Sequence, residues 1–327
     1  MKKPRVCIVS PAAAEANNGN WHTAARWQRF LAPVAEVELT LAWNGEPVDA
    51  LMALHARRSA ASIARAASAR PAPPIALILT GTDLYRDIDH DASALHSLEC
   101  ASHIVVLQDE GLRRLGAAAS AKARVIVQSA SASTSAHIRR DRPQRESLFV
   151  AVGHLRDEKD PLTLMRAARL LPADGGIRIV HIGDSLDPRL ADAARQTDAD
   201  CPHYRWLGGL PAAQARRWIA RSHALVHMSR MEGGANVVIE AIRSRVPVLA
   251  SRIDGNVGLL GRDYAAYFEP GDAAALAALM QRFTAESAFA DTLTLQCAAR
   301  APRFTPEVER DAVRRLLADM LAGEPRQ

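Results

Sequence analysis

Glu232 and Glu240 lie eight positions apart in SRMEGGANVVIEAIRSRVPVLAS, residues 229–251. The first is followed by Gly233, Gly234, Ala235 and Asn236; the second sits near the start of an apolar run with helical spacing. A carboxylate just inside a helix accepts two hydrogen bonds from a ribose diol. A carboxylate in a glycine loop binds sugar hydroxyls or acts at a reacting centre. The amides of such a loop suit a phosphate, as does the Met228–Gly234 turn with Arg230 in it. The helix dipole alone favours an acid at a helix start, which accounts for one glutamate but not for the paired glycines. Upstream, VAVGHLRDEKDPLTLMRAARLL (150–171) places Lys159 at the start of a helical stretch, with Gly153, His154 and Arg156 close by. A lysine beside helix-start amides neutralises a diphosphate; taken alone, it reads as a solvated surface residue.

The first half carries a different chemistry. Asn17, Asn18, Gly19 and Asn20 form a turn-prone cluster that opens a helix, a place for an anion or simply an asparagine-capped loop. The spacing is not G-x-G-x-x-G, so the dinucleotide fingerprint is absent. His55-Ala56-Arg57-Arg58-Ser59 follows an apolar run, and the planar fork of arginine suits phosphate-like anions. An exposed helix start explains that segment equally well. TGTDLYRD (80–87) packs Thr82, Asp83, Tyr85 and Arg86 into one turn, more polar groups than a connector needs.

All of these follow strand-like segments. RVCIVS (5–10), VELTLAW (37–43), LMALHA (51–56), IALILT (75–80), HIVVLQ (103–108) and RVIVQS (124–129) are short, rich in Val, Ile and Leu, and bounded by polar residues. Helical stretches at 23–33 and 92–101 fall between them. A polar basic stretch, HIRRDRPQRES (137–147), reads as a linker. The rhythm restarts with 147–153, 177–183, 203–208, 223–228 and 247–251, with helices at 160–171, 212–222, 272–284 and 306–321. A βαβ rhythm means parallel sheets. The expectation is an α/β protein of two doubly wound Rossmann-like domains across a cleft, residues 1–140 and 141–305, with a C-terminal helix in 306–327 packing back on the first. Ligands of such sheets bind beyond the carboxyl ends of the strands.

Composition narrows the classes. The chain has 327 residues, 48% hydrophobic and 24% charged, with a net charge of +5. The basic residues are scattered, without the basic stripe and interleaved aromatics of a nucleic-acid surface. Cys7, Cys100, Cys201 and Cys297 have neither metal-ligand nor redox spacing. No apolar run reaches the length of a membrane span. These features lead to the expectation of a cytoplasmic protein with small-molecule partners, no nucleic acid and no membrane, the oligomeric state staying open. No metal or cofactor is expected, no Asp-x-Asp being read between a strand and its loop.

Taken together, the second-half residues resemble the nucleotide-binding domain of the GT-B glycosyltransferases, in the large retaining family of sucrose-synthase-like and mannosyltransferase-like enzymes. Gly153 to Lys159 matches its G-x5-K signal, Glu232 to Glu240 its E-x7-E signal, and PVLAS with SRIDGN follows. Two departures stand out. His154 occupies the place of the usual arginine, which shifts diphosphate neutralisation onto Lys159 with help from Arg156 or Arg230. Gly233-Gly234-Ala235 replaces one glycine and an aromatic, which opens space near the sugar.

In the first half, NNGNWHTAARW, LHARRSAASI, LTGTDLYRDI and SLECASHIVVLQ resemble the selenosugar synthase family of selenoneine biosynthesis. That resemblance implies a UDP-sugar donor, foremost UDP-N-acetylglucosamine, selenophosphate as the selenium source, and a 1-selenosugar product with UDP and phosphate released. It implies catalytic roles for Glu232, Lys159 and Asn20. Gly153, His154, Arg156, Lys159, Arg230, Glu232, Gly233, Gly234, Ala235, Asn236 and Glu240 would hold the donor. Asn18, Gly19, Asn20, Arg57, Arg58, Thr82, Asp83 and Arg86 would hold selenophosphate. The rival readings are a GT-B glycosyltransferase with a hydroxyl acceptor, a UDP-sugar 2-epimerase-like isomerase, and a non-catalytic nucleotide-sugar sensor.

Overall fold

Five consecutive apolar residues with no polar face, ALMAL at 50–54 and again IALIL at 75–79, suit a strand only if both sides are covered. Both are fully buried strands in the structure, a computed structural model that describes residues 2–11, 19–132, 146–185 and 187–323. The described residues fall into two units. The first takes the chain up to Ser129, Glu232–Ala235 and Pro306 onward; the second takes Ala130–Met231 and Asn236–Thr305.

The first unit runs β1 (Arg5–Val9), α1 (Gly19–Leu31), β2 (Glu36–Thr40), β3 (Ala50–Leu54), α2 (Ala60–Ser68), β4 (Ile75–Leu79), α3 (Thr82–Tyr85), α4 (Ala92–Cys100), β5 (His103–Val106), α5 (Ala117–Ser120) and β6 (Ala123–Val125). Its six strands pair in parallel in the order β2-β1-β3-β4-β5-β6. Alternation along β1 sends Val6 and Ile8 to one face and Cys7 and Val9 to the other. The first face packs on Trp27 and Leu31 of α1, the second on Ile63 of α2 and Ala94 of α4.

The second unit runs β7 (Ser147–Val152), α6 (Pro161–Leu170), β8 (Ile177–Ile182), α7 (Pro188–Asp200), β9 (Tyr204–Trp206), α8 (Ala212–Arg221), β10 (Ala224–His227), α9 (Asn236–Arg243), β11 (Val248–Ser251), α10 (Asp254–Leu260), β12 (Tyr267–Phe268), α11 (Ala273–Ala285) and α12 (Ser287–Arg300). Its strands are parallel in the order β12-β11-β10-β7-β8-β9. The last helix, α13 (Pro306–Ala322), belongs to the first unit, where Val313, Leu316, Leu317 and Met320 join the α1 face of the core. Glu309 fastens it. This carboxylate is 1% exposed and accepts from Arg26 Nε at 2.7 Å, Trp27 Nε1 at 2.8 Å and the Ser129 amide at 2.7 Å.

Several boundaries differ from expectation. The run 124–129 is a strand only over Ala123–Val125, because Gln128 and Ser129 turn their hydrogen bonds to Thr23 and Glu309. The helix expected over 23–33 begins at Gly19. Helices α7 and α10 were not expected from the pattern. Alanines carry much of the buried stripe of α7, and glycines at 255 and 258 interrupt α10. Most of the expected linker, 133–145, lies outside the described residues. Among the described residues, no helix is long and apolar enough to cross a membrane.

Candidate functional site

In the second unit strand order reverses between β7 and β10, so their outgoing loops emerge side by side at the sheet's carboxyl edge, where ligands of such sheets bind. The loop after β7 is built on Gly153. Its amide continues the ladder to Ile182 O at 2.9 Å, and the stem of Lys159 lies over its Cα face, 3.6 Å from where a Cβ would stand. Lys159 ends a 3-10 turn, Asp157–Lys159, directly before α6. Asp160 then takes a left-handed conformation, φ 46°, and Pro161 opens the helix. The Asp160 carboxylate does not cap α6. It accepts from Thr163 Oγ1 at 2.8 Å and pairs with Arg230 at 3.1 Å. The Arg230 amide in turn donates to Glu158 O at 2.8 Å, which ties the two loops together. Arg230 thus stands beside Lys159's turn, held by a buried carboxylate. Arg156 is exposed and His154 half-buried in the same loop.

Gly183, after β8, is a residue the sequence reading passed over. It has φ 157°, and a Cβ there would run into the carbonyl of Gly153. Only glycine fits, so Gly183 shapes the Gly153 loop from the next strand. Glu240 is the fifth residue of α9, one turn inside the helix, half-buried, and 3.9 Å from Arg216 Nη1. Asn236, half-buried, is the helix's first residue.

The E-x7-E segment divides between the units: Glu232–Ala235 clusters with the first, Asn236 onward with the second. A Cβ on Gly233 would fall 2.7 Å from the Gly81 amide and closer still to the Thr80 carbonyl. One on Gly234 would fall 2.7 Å from Gln128 Oε1 and 2.9 Å from Leu107 Cβ. Close packing is therefore a sufficient reason for both glycines, which the sequence alone did not supply. Ala235 is buried and Glu232 half-buried.

In the first unit strand order reverses between β1 and β3. Of the loop after β1, Asn18 lies outside the described residues. Gly19 and Asn20 form the first turn of α1, where Thr23 Oγ1 donates to Gly19 O at 2.9 Å. Gln128 Nε2 donates to that same hydroxyl.

The loops after β3 and β4 are joined by buried carboxylates. Asp83 is fully buried; Oδ1 accepts the amides of Thr80 at 2.9 Å and Gly81 at 2.8 Å, and Oδ2 that of Ala56 at 3.0 Å. These three amide bonds shape the loops. His55 stands at φ 72° and is buried. Its Nδ1 accepts the Arg58 amide at 3.4 Å, and Nε2 lies 3.0 Å from Thr82 Oγ1. Burial pushes this imidazole below its ordinary range, opposed by Asp83 and Asp87. A neutral ring with its proton on Nε2 fits both contacts and fixes the Thr82 hydroxyl. Asp87, 6% exposed, accepts from Arg57 Nε at 2.9 Å and from Arg86 Nε at 3.2 Å. Arg58 is exposed.

Asp87-Ile88-Asp89 is an Asp-x-Asp that the sequence reading passed over. Its carboxylates face arginines, Asp89 pairing with Arg114 at 2.6 Å. Among the described residues no three His, Cys, Asp or Glu side chains gather as a metal cluster. The four cysteines are free, and burial pushes Cys7 up to about 12 and Cys297 up to about 11, which keeps both thiols protonated. Asp160 and Gly183 were missed, and His55 and Asp87 were noted only as members of their segments, without a role. Two signals were present in the sequence: Asp-Pro at a helix start for Asp160, and a glycine closing a strand for Gly183.

The family profile "Glycosyl transferases group 1" matches residues 134–298, just over half of the chain. Over 114 residues the chain is 30% identical to "Glycosyltransferase 1 domain-containing protein 1" of Xenopus tropicalis, covering 35% of this chain and 33% of that protein. It is 31% identical over 144 residues to "Putative teichuronic acid biosynthesis glycosyltransferase TuaC" of Bacillus subtilis (strain 168), covering 44% of this chain and 34% of the other. The chain spans about a third of the length of these curated relatives. Among solved structures it is similar to sucrose-phosphate synthase (tll1590) from Thermosynechococcus elongatus, with a TM-score of 0.77, 17% identity, and coverage of 99% and 100%. It is also similar to Anabaena Alr3699/HepE in complex with UDP and glucose, with a TM-score of 0.75, 14% identity, and coverage of 97% and 100%.

Proposed function

The chain belongs to the glycosyl transferases group 1 family, and from that premise we propose that it moves a sugar from a UDP-sugar, foremost UDP-N-acetylglucosamine, onto selenophosphate. Its two parallel six-stranded sheets with their helices are the α/β GT-B fold. The observation that carries the donor half is the Lys159 turn. A lysine folded over Gly153 at the start of α6, with Arg230 anchored beside it on Asp160, is a cationic seat for a leaving diphosphate. That HepE was solved with UDP and glucose supports a UDP-sugar.

Lys159 neutralises the departing UDP, with Arg230 and Arg156 assisting in place of the family's arginine at His154. The amides of the Gly153 loop and of Gly233–Asn236 line the donor, Glu240 holds the ribose diol, and Glu232 holds the sugar. Asn20, in the first turn of α1, orients the reacting centre with Gly19 beside it; Asn18, assigned to the same role, lies outside the described residues. Arg57, Arg58, Arg86 and Thr82 receive selenophosphate, and Asp83 shapes their loops. Selenium attacks the anomeric carbon with its own electron pair; the carbon–oxygen bond to UDP breaks and its pair leaves with UDP. Water then cleaves the P–Se bond, giving phosphate and the 1-selenosugar. Selenium is a soft, strong nucleophile and needs little base assistance, so positioning and charge stabilisation dominate.

The test is UDP release by the purified chain from UDP-N-acetylglucosamine, with and without selenophosphate, with mass spectrometry of the product. Selenophosphate-dependent UDP release with a selenium isotope pattern is the expected result. UDP release that requires an alcohol instead, or a rearranged nucleotide sugar with no acceptor consumed, would overturn the selenium assignment.

A further inference from the structure

Two arginines twenty-nine positions apart in the chain meet on one buried carboxylate. Arg57, from the loop after β3, donates Nε to Asp87 Oδ2 at 2.9 Å. Arg86, from the turn after β4, donates Nε to Oδ1 of the same residue at 3.2 Å. Asp87 is 6% exposed, while the two arginine side chains are 41% and 46% exposed. Each guanidinium is therefore held at its inner nitrogen by a group below the surface, and each keeps a large part of itself in solvent. The Nη groups of Arg57 make no hydrogen bond within the described residues.

The layer beneath is rigid. Asp83 bonds the amides of both loops, and His55 bridges Arg58's amide and the Thr82 hydroxyl. Asp91, which Arg57 also stabilises electrostatically, is occupied by the first-turn amides of α4, and Asp83 by backbone amides. Exposed Arg58 adds a third cation on the same loop.

We propose that Asp87 is a positioning residue that sets Arg57 and Arg86 as a two-guanidinium clamp for a phosphoryl oxyanion. Long arginine side chains lose rotamer entropy when they bind, and a buried carboxylate that fixes both in advance removes part of that cost. Two planar forks side by side match the several oxygens of a tetrahedral anion better than one carboxylate's pair. The proposal rests on the reading of the first unit as the side that takes selenophosphate, and gives that reading its anchor. It also makes a counterintuitive demand: removing a negative charge from the site should weaken anion binding.

The experiment is calorimetric titration of the full chain with inorganic phosphate as the probe, comparing wild type with Asp87→Asn and Asp87→Glu, and with UDP titrated into each. The expected result is phosphate binding weakened about tenfold or more in Asp87→Asn, partly restored in Asp87→Glu, with UDP affinity unchanged. If Asp87 only offsets arginine charge, Asp87→Asn binds phosphate as tightly or more tightly, and the proposal falls. No phosphate binding by wild type also overturns it. Should Asp87→Asn fail to fold, Arg57→Lys keeps the charge and loses the Nε contact, and the same loss of phosphate with UDP intact is expected. Phosphate binding needs no sugar donor. A working clamp without a selenium-containing product sinks the acceptor identity alone, and a selenium product with phosphate affinity indifferent to Asp87 sinks the clamp alone.

Discussion

The loops after β7 and β10 and the loops after β3 and β4 sit at the carboxyl edges of two alike sheets, yet they are built differently. In the second unit the polar groups are few and the backbone does much of the shaping: Gly183 against Gly153, a left-handed Asp160, a proline at the helix start. In the first unit buried side chains do the shaping: Asp83 on three amides, His55 on Thr82, Asp87 on two arginines. The backbone-built site positions Lys159 through the fold of its loop over Gly153. A carboxylate-built site fixes its charged groups before any ligand arrives.

Five substitutions probe this difference. The largest effect is expected for Lys159→Ala, which removes charge from the leaving group's seat; turnover should fall about 10²- to 10³-fold, read as UDP release. A variant within a factor of a few of wild type would remove the second unit's claim to the chemistry. Next comes acid stability. Burial lowers His181 to about 4 from the usual 6.5, so its contribution is fully present above pH 6.5 and is lost as pH falls toward 4. That limb is worth up to about 3 kcal/mol. His55, shifted in the same direction by burial, adds to it. Unfolding midpoints across this range should flatten in His181→Gln and, by a separate share, in His55→Gln; an unaltered slope in both contradicts buried neutral imidazoles.

Gly183→Ala places a Cβ against the Gly153 carbonyl and should cost about 1–3 kcal/mol in stability while weakening UDP. A variant that keeps UDP affinity would show that the Gly153 loop does not need this backbone contact. Asp83→Asn replaces an acceptor of three amides with a group carrying its own donors, at an expected cost of about 1–3 kcal/mol. Here the loss should appear in thermal stability and phosphate affinity but not in UDP affinity. A loss of UDP affinity alone would reverse the two regions' roles.

The second unit's site was the more legible of the two. Lys159 keeps a fixed interval from Gly153 within one loop, as Glu240 does from Glu232, which itself clusters with the first unit, and spacing along one chain segment survives in a sequence. Gly183 was visible only as a glycine closing a strand, because its constraint comes from the loop after the neighbouring strand. In the first unit Arg57, Arg86 and Thr82 were readable as polar groups after strands, but Asp87 was not, though it adjoins Arg86. Its meaning depends on Arg57, brought from another loop by the β3–β4 pairing. The paired glycines carry a second constraint that was hidden for the same reason. Sequence offered them as amides for a phosphate, while the fold uses their missing Cβ atoms to admit Thr80, Leu107 and Gln128. Strands and most helices were legible from their apolar patterns, and alanine- or glycine-rich helices such as α7 and α10 were not.

The most direct test of the account is a pair of Michaelis constants in two variants, Glu240→Gln and Arg57→Gln, each measured for UDP-N-acetylglucosamine and for selenophosphate. A crossed pattern is expected: the first variant raises the UDP-sugar constant and leaves that for selenophosphate, and the second does the opposite. Equal rises for both substrates in both variants would contradict the assignment of donor and acceptor to different loops.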